Sequence, residues 1–190
     1  MLRGFWQSGN TTEPLFLATD CYILGMPIVY SQPVGEIQEI KKSSLMTTLP
    51  TLRNEWEISF EFKPANYEDS RNTNILHLTF GGDKENPEDR IPAIFYHPGM
   101  GLHVKCDIGK DQTYHTDIMP PPPVGQWSTI VLSQITSGST TIFSVKVGGA
   151  SASTVETLEP LTFSSVMVFA SDPWMKAQPG AIRGLTINTQ

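Results

Sequence analysis

Long apolar runs are missing from this chain. No stretch approaches the ~20 consecutive apolar residues needed to cross a bilayer, so no membrane-spanning helix is expected. Basic runs are missing too, the longest being the pair Lys41–Lys42. With 13 Lys and Arg against 19 Asp and Glu, the net charge is −6. An acidic surface repels a phosphate backbone, which argues against nucleic acid as a partner. Cysteine is scarce: Cys21 and Cys106 are the two present, far apart in sequence. Paired, they would close a long loop worth about 4–5 kcal/mol in the chain-entropy model. Unpaired, they would be two buried thiols, and two cysteines do not choose between these states. The start, Met1 to Trp6, lacks the continuous apolar core of a signal peptide. Either the protein stays inside the cell or a leader has been removed. The sequon Asn10-Thr11-Thr12 favours a secreted, extracellular protein.

What the chain does have is turn formers, with 15 Gly and 15 Pro in 190 residues. Many short strands divided by turns fit that composition, and long helices do not. At this length roughly 70% of the unfolded surface can be buried, so a core needs no metal or disulfide. No internal repeat, low-complexity tract or linker divides the chain. One domain over residues 1–190 is expected, with 51–190 as its core and strands from 1–50 completing the sheets.

The strand pattern is strongest from Trp56 onward. Trp56, Ile58, Phe60 and Phe62 alternate with Glu57, Ser59, Glu61 and Lys63, the mark of a half-buried strand. Further strands are expected over 74–80, 91–96, 102–108, 114–118, 141–147, 162–170 and 181–188. A proline turn, Pro120 to Pro123, leads into Trp127–Gln134. There Trp127, Thr129 and Val131 alternate with Ser128, Ile130 and Leu132, and the Trp127 ring is expected to anchor the buried face. Turn signals roughly 8 to 15 residues apart predict an all-β, antiparallel two-sheet β-sandwich of the jelly-roll kind.

The order of these segments resembles a known group. An aromatic strand ends at Phe62, and Asn74-Ile75-Leu76-His77-Leu78 and Arg90-Ile91-Pro92-Ala93-Ile94-Phe95 follow. Then come Gly101-Leu102-His103-Val104, Gly125-Gln126-Trp127, Val145 to Gly149, and Gly180-Ala181-Ile182-Arg183-Gly184-Leu185. Over about two-thirds of the chain this is similar to laminin-G-like domains of the concanavalin A-like jelly-roll group. Many laminin-G domains carry a cysteine where Ala181 stands, and this chain does not. The resemblance implies non-catalytic recognition of a glycan or an extracellular protein, in some members through calcium held by a rim loop. Fold alone does not decide function, since the same fold also hosts glycan hydrolases.

Several residue groups are candidate sites. Asp83, Glu85, Asn86, Glu88 and Asp89 crowd the loop Gly81–Arg90. Calcium takes six to eight oxygens, which clustered carboxylates and carbonyls supply; a solvated acidic loop is the plainer alternative. Ser171-Asp172-Pro173-Trp174 leaves a strand at the rim of the sandwich. Trp174 fits a sugar-stacking platform with Asp172 accepting hydroxyl hydrogen bonds, or equally a seal over the end of the core. Tyr96, His97 and Tyr114 are further rim aromatics. The four histidines lack metal-ligand spacing, and His77 and His103 are placed to meet across strands. Glu55, Glu57 and Glu61 share a strand face, but no carboxylate pair at hydrolase spacing and no Gly-x-Ser-x-Gly elbow is present. The chain therefore reads as a lectin-like or adhesive module and not as an enzyme. A structural domain that forms homo-oligomers, and a glycan hydrolase, are the alternatives.

Overall fold

The computed structural model describes residues 22–23, 26–82, 89–109, 111, 114–157 and 159–190. In chain order the strands are β1 (Tyr22–Ile23), β2 (Met26–Ser31), β3 (Ile37–Glu39), β4 (Leu45–Leu52) and β5 (Trp56–Pro64). Next come β6 (Thr73–Thr79), β7 (Ala93–His97), β8 (Gly101–Lys105), β9 (His115–Ile118) and β10 (Ser128–Ser137). The last are β11 (Thr140–Val147), β12 (Ala150–Thr157), β13 (Phe163–Phe169), β14 (Lys176–Ala177) and β15 (Gly180–Thr189). Among the described residues, β1-β2-β15-β5-β10-β11-β12, with β3 also on β15, form an eight-stranded sheet. The order β4-β13-β6-β7-β8-β9, with β14 on β6, forms a seven-stranded sheet. Pairing is antiparallel throughout except where β14 meets β6. Among the described residues no helix is long and apolar enough to cross a membrane.

The two sheets face each other across one hydrophobic core. On β5, Trp56, Ile58, Phe60 and Phe62 are buried, as their alternation predicts. Leu76 and Leu78 of β6, Ile94 of β7, Leu102 and Val104 of β8, and Val166 and Val168 of β13 meet them from the other sheet. Phe143 of β11 packs edge-on to Trp56 at 6.0 Å and to Tyr114 at 5.5 Å. Burying a side chain of this size contributes roughly 1.5–3 kcal/mol.

One face assignment is the reverse of the sequence expectation. On β10 it is Ile130 and Leu132 that are buried, and Trp127 lies outside. The register explains this: Ile130 pairs with Phe60 and Leu132 with Ile58. Directly opposed residues share a face, so the aromatic face of β5 fixes the phase of its neighbour. The Trp127 ring is instead covered by Arg183 at 4.3 Å, with Lys63 at 5.8 Å. Arg183 in turn makes a two-pronged pair with Glu61, at 2.6 and 3.0 Å.

The hairpin from β7 to β8 depends on one glycine. Gly101 has φ +80°, and a methyl group there would lie 2.2 Å from the Ile118 carbonyl oxygen. Gly99, also at φ +80°, faces open space. Gly101→Ala should therefore lose about 2 kcal/mol or more, while Gly99→Ala should lose only the left-handed backbone penalty of about 1–2 kcal/mol. Paired thermal melts check the difference; equal losses would contradict the close approach.

Candidate functional site

The outer face of the seven-stranded sheet carries the chemistry. Strand alternation sends Leu76, Ile94, Leu102 and Val104 into the core and turns His77, Phe95, His97 and His103 the other way. His77 and His103 do not touch. Phe95 lies between them, 5.9 Å from His77 and 6.5 Å from His103. His103 is flanked by His97 at 6.1 Å and His115 at 5.4 Å. Antiparallel pairing of β7, β8 and β9 thus gathers three histidines that are scattered in sequence.

His77 is fully buried, as is Asp172. Its Nδ1 lies 2.7 Å from Asp172 Oδ2, and its Nε2 lies 2.6 Å from the Asp89 carbonyl oxygen. A carbonyl only accepts, so Nε2 donates. Nδ1 faces the Asp172 carboxyl, so the two buried side chains form a hydrogen-bonded pair. Asp172 Oδ1 accepts the Trp174 and Met175 backbone N–H groups at 2.9 and 2.7 Å. The Asp172 N–H donates to Asn74 Oδ1 at 2.9 Å. Burial alone would raise the Asp172 pKa. The His77 hydrogen bond and the two backbone donors outweigh it and hold the carboxyl below its ordinary value.

Asp172 is thus the anchor of the turn and is not presented to solvent. Trp174, 41% exposed, packs against His77 at 5.8 Å and Phe169 at 6.4 Å. Tyr96 turns inward and stacks on Tyr67 at 4.3 Å, while the Tyr67 hydroxyl donates to the Pro122 carbonyl. Burial pushes the Tyr67 phenol well up. Tyr114 also lies apart from the histidines, packed on Phe143 with its hydroxyl 2.8 Å from Ser153 Oγ. Of the five rim residues predicted, Trp174 and His97 are therefore on the histidine face, with Asp172 beneath them. Asp83, Glu85, Asn86 and Glu88 fall outside the described residues. Asp89 gives its carbonyl to His77, and its carboxylate packs over Gly82, where a methyl would come within 2.1 Å of Oδ1. Among the described residues, no three His, Cys, Asp or Glu side chains gather to hold a metal ion. Cys106 is a free, buried thiol, pushed well up by burial and by Asp107.

An open groove of about 270 Å³, lined in part by Met175, runs over this face. Its lining includes Asn72, Arg90, Phe95, His97, His103 and Lys105, with Met100 and Met175 at the edges. Arg90 lies over the Phe95 ring at 5.6 Å. His103 Nδ1 is 2.5 Å from Asp117 Oδ1. Burial lowers the His103 pKa more than Asp117 raises it, so the ring is neutral at physiological pH. Glu57 and Glu61 of β5, and Glu55 just before it, belong to the other sheet. Glu55 accepts from Thr136 N–H and Gln190, and Glu61 pairs with Arg183.

The architecture has solved counterparts. The chain is similar to the native heptameric SAP-like pentraxin from Limulus polyphemus, at 14% identity and a TM-score of 0.53, over 80% of this chain and 75% of that one. The fold is a concanavalin A-like jelly roll. A second jelly roll, Domain 4 of AbnA, a GH43 extracellular arabinanase from Geobacillus stearothermophilus in complex with arabinotriose, matches at 15% identity and a TM-score of 0.51. That match spans 86% of this chain and 75% of the other. No protein-family model and no curated protein matches the chain. At such identities the likeness establishes the jelly roll alone, and function has to be argued from the site.

Proposed function

We propose that this jelly roll is a non-catalytic recognition module that binds carbohydrate outside the cell, through the groove floored by Phe95 and His103. The composition of that groove carries the reading. A sugar ring offers apolar C–H faces and a rim of hydroxyls, and is held by apolar or aromatic side chains flanked by polar groups. Phe95, Met100 and Met175 supply the first; Asn72, Arg90, Lys105 and the imidazoles supply the second. The arabinanase domain was solved with arabinotriose, so a jelly roll is compatible with such a ligand.

A glycan array tests the proposal. Asn72→Ala changes an exposed lining residue of the groove, and Trp174→Ala the ring that precedes its lining residue Met175; each should weaken the best glycan about tenfold or more with the fold intact. Absence of binding to every glycan would reject the reading. Repeating the array with a calcium chelator tests the Gly81–Arg90 loop.

A subunit contact is a second reading. A groove of about 440 Å³ on the eight-stranded sheet is lined by Ile37, Ile40, Pro64, Trp127 and Pro179. Ile37 there is 59% exposed. A second copy of the chain would cover this patch, and light scattering that returns a strict monomer would reject it.

A further inference from the structure

We propose that His97 and His103 form a two-imidazole site for a borderline divalent transition-metal ion such as Zn²⁺, at the lip of the groove. Three observations carry it, and none depends on the ligand of the groove being a sugar.

The first is placement. His97 on β7 pairs with Gly101, and His103 on β8 pairs with Phe95, so the two histidines are diagonal neighbours on one sheet face. Their ring centres are 6.1 Å apart, and both line the same groove. Two imidazoles sharing one tetrahedral zinc, at Zn–N ~2.0–2.1 Å, bring their ring centres to ~5 Å. A small side-chain rotation closes that gap.

The second is tautomer. His97 Nδ1 is 2.8 Å from the Pro98 carbonyl oxygen, which only accepts, so Nδ1 carries the proton. His103 Nδ1 donates to the Asp117 carboxylate in the same way. Each ring therefore keeps its lone pair on Nε2, and no hydrogen bond among the described residues engages either Nε2. An oxygen holding Nδ1–H, with the lone pair left on Nε2, is the outer-shell arrangement that orients a metal-ligating histidine.

The third is donor type. Imidazole suits zinc, copper and nickel, whereas calcium wants oxygens. No three donors converge here among the described residues, so two protein ligands leave positions for water or for a groove ligand. An open site of that kind binds exchangeably and does not hold the fold together.

Isothermal titration calorimetry of the full chain with Zn²⁺ alone tests this. About one equivalent should bind, and Ca²⁺ should not displace it. His103→Ala and His97→Ala should each weaken binding at least about tenfold, and Asp117→Asn should do so about 10–100-fold by releasing the His103 ring. Circular dichroism and the melting temperature of the metal-free variants should match the parent, which separates lost ligands from lost fold. Zinc binding untouched by His103→Ala would overturn the proposal. So would loss on His115→Ala with His97→Ala silent, or no binding at all.

Discussion

Asp172→Ala lowers the melting temperature by roughly 6–20 °C, the equivalent of about 3–5 kcal/mol, because it removes a fully buried carboxylate on which three hydrogen bonds converge and leaves His77 Nδ1 without its partner. The Trp174 and Met175 backbone N–H groups lose their acceptor in the same step. The effect is specific to the pair. In a double-mutant cycle with His77→Ala, the second substitution should cost much less than it does alone, since the buried partner left unsatisfied is then gone. Strict additivity, or a loss under about 1 kcal/mol from Asp172→Ala alone, would show that the two side chains do not act as a unit. The pH dependence has a definite sign. The folded pKa of Asp172 lies below its ordinary 3.8, so its contribution is complete above that value and is lost as pH falls through the lower folded one. Asp172→Ala should therefore flatten the acid limb of the stability curve, as measured by melts across acidic buffers.

Phe143→Ala costs about 3–5 kcal/mol, and Trp127→Ala well under half of that, although tryptophan is the larger residue. Phe143 is 0% exposed between Trp56 and Tyr114, so its removal leaves a cavity that the sheets cannot close. Trp127 covers the outer surface of the eight-stranded sheet beneath Arg183, where water replaces it. Urea denaturation of the two variants, with the slope unchanged, measures the contrast. Equal losses would return Trp127 to the core and reverse the phase of β10.

That phase marks the boundary of what the sequence could tell. Alternation was legible wherever a strand has one wet face and one dry face, as on β5, and there the predicted strand and its buried side agree with the structure. On β10 the period was legible and the side was not, because both alternating sets contain apolar residues and only the pairing with Phe60 and Ile58 decides. Strands β4 and β12 left no signal. Pro50 and the threonines interrupt any apolar alternation in β4, and proline is tolerated because β4 is an edge strand. The run Ala150–Thr157 shows no apolar alternation, being an edge strand with mostly exposed side chains. The histidine face was illegible for another reason. Spacing along the chain cannot reveal that β7, β8 and β9 lie side by side, and the pairing of His77 with Asp172 spans a sequence separation of 95.

The single ring of His77 grips the Asp89 carbonyl with one nitrogen and the Asp172 turn with the other. The next residue after Asp89 is Arg90, and that turn carries Met175, so both segments that border the groove are riveted to one point. The aperture is in consequence a fixed gauge rather than a jaw: a guest must match its width on arrival, and selectivity comes from refusal instead of adjustment.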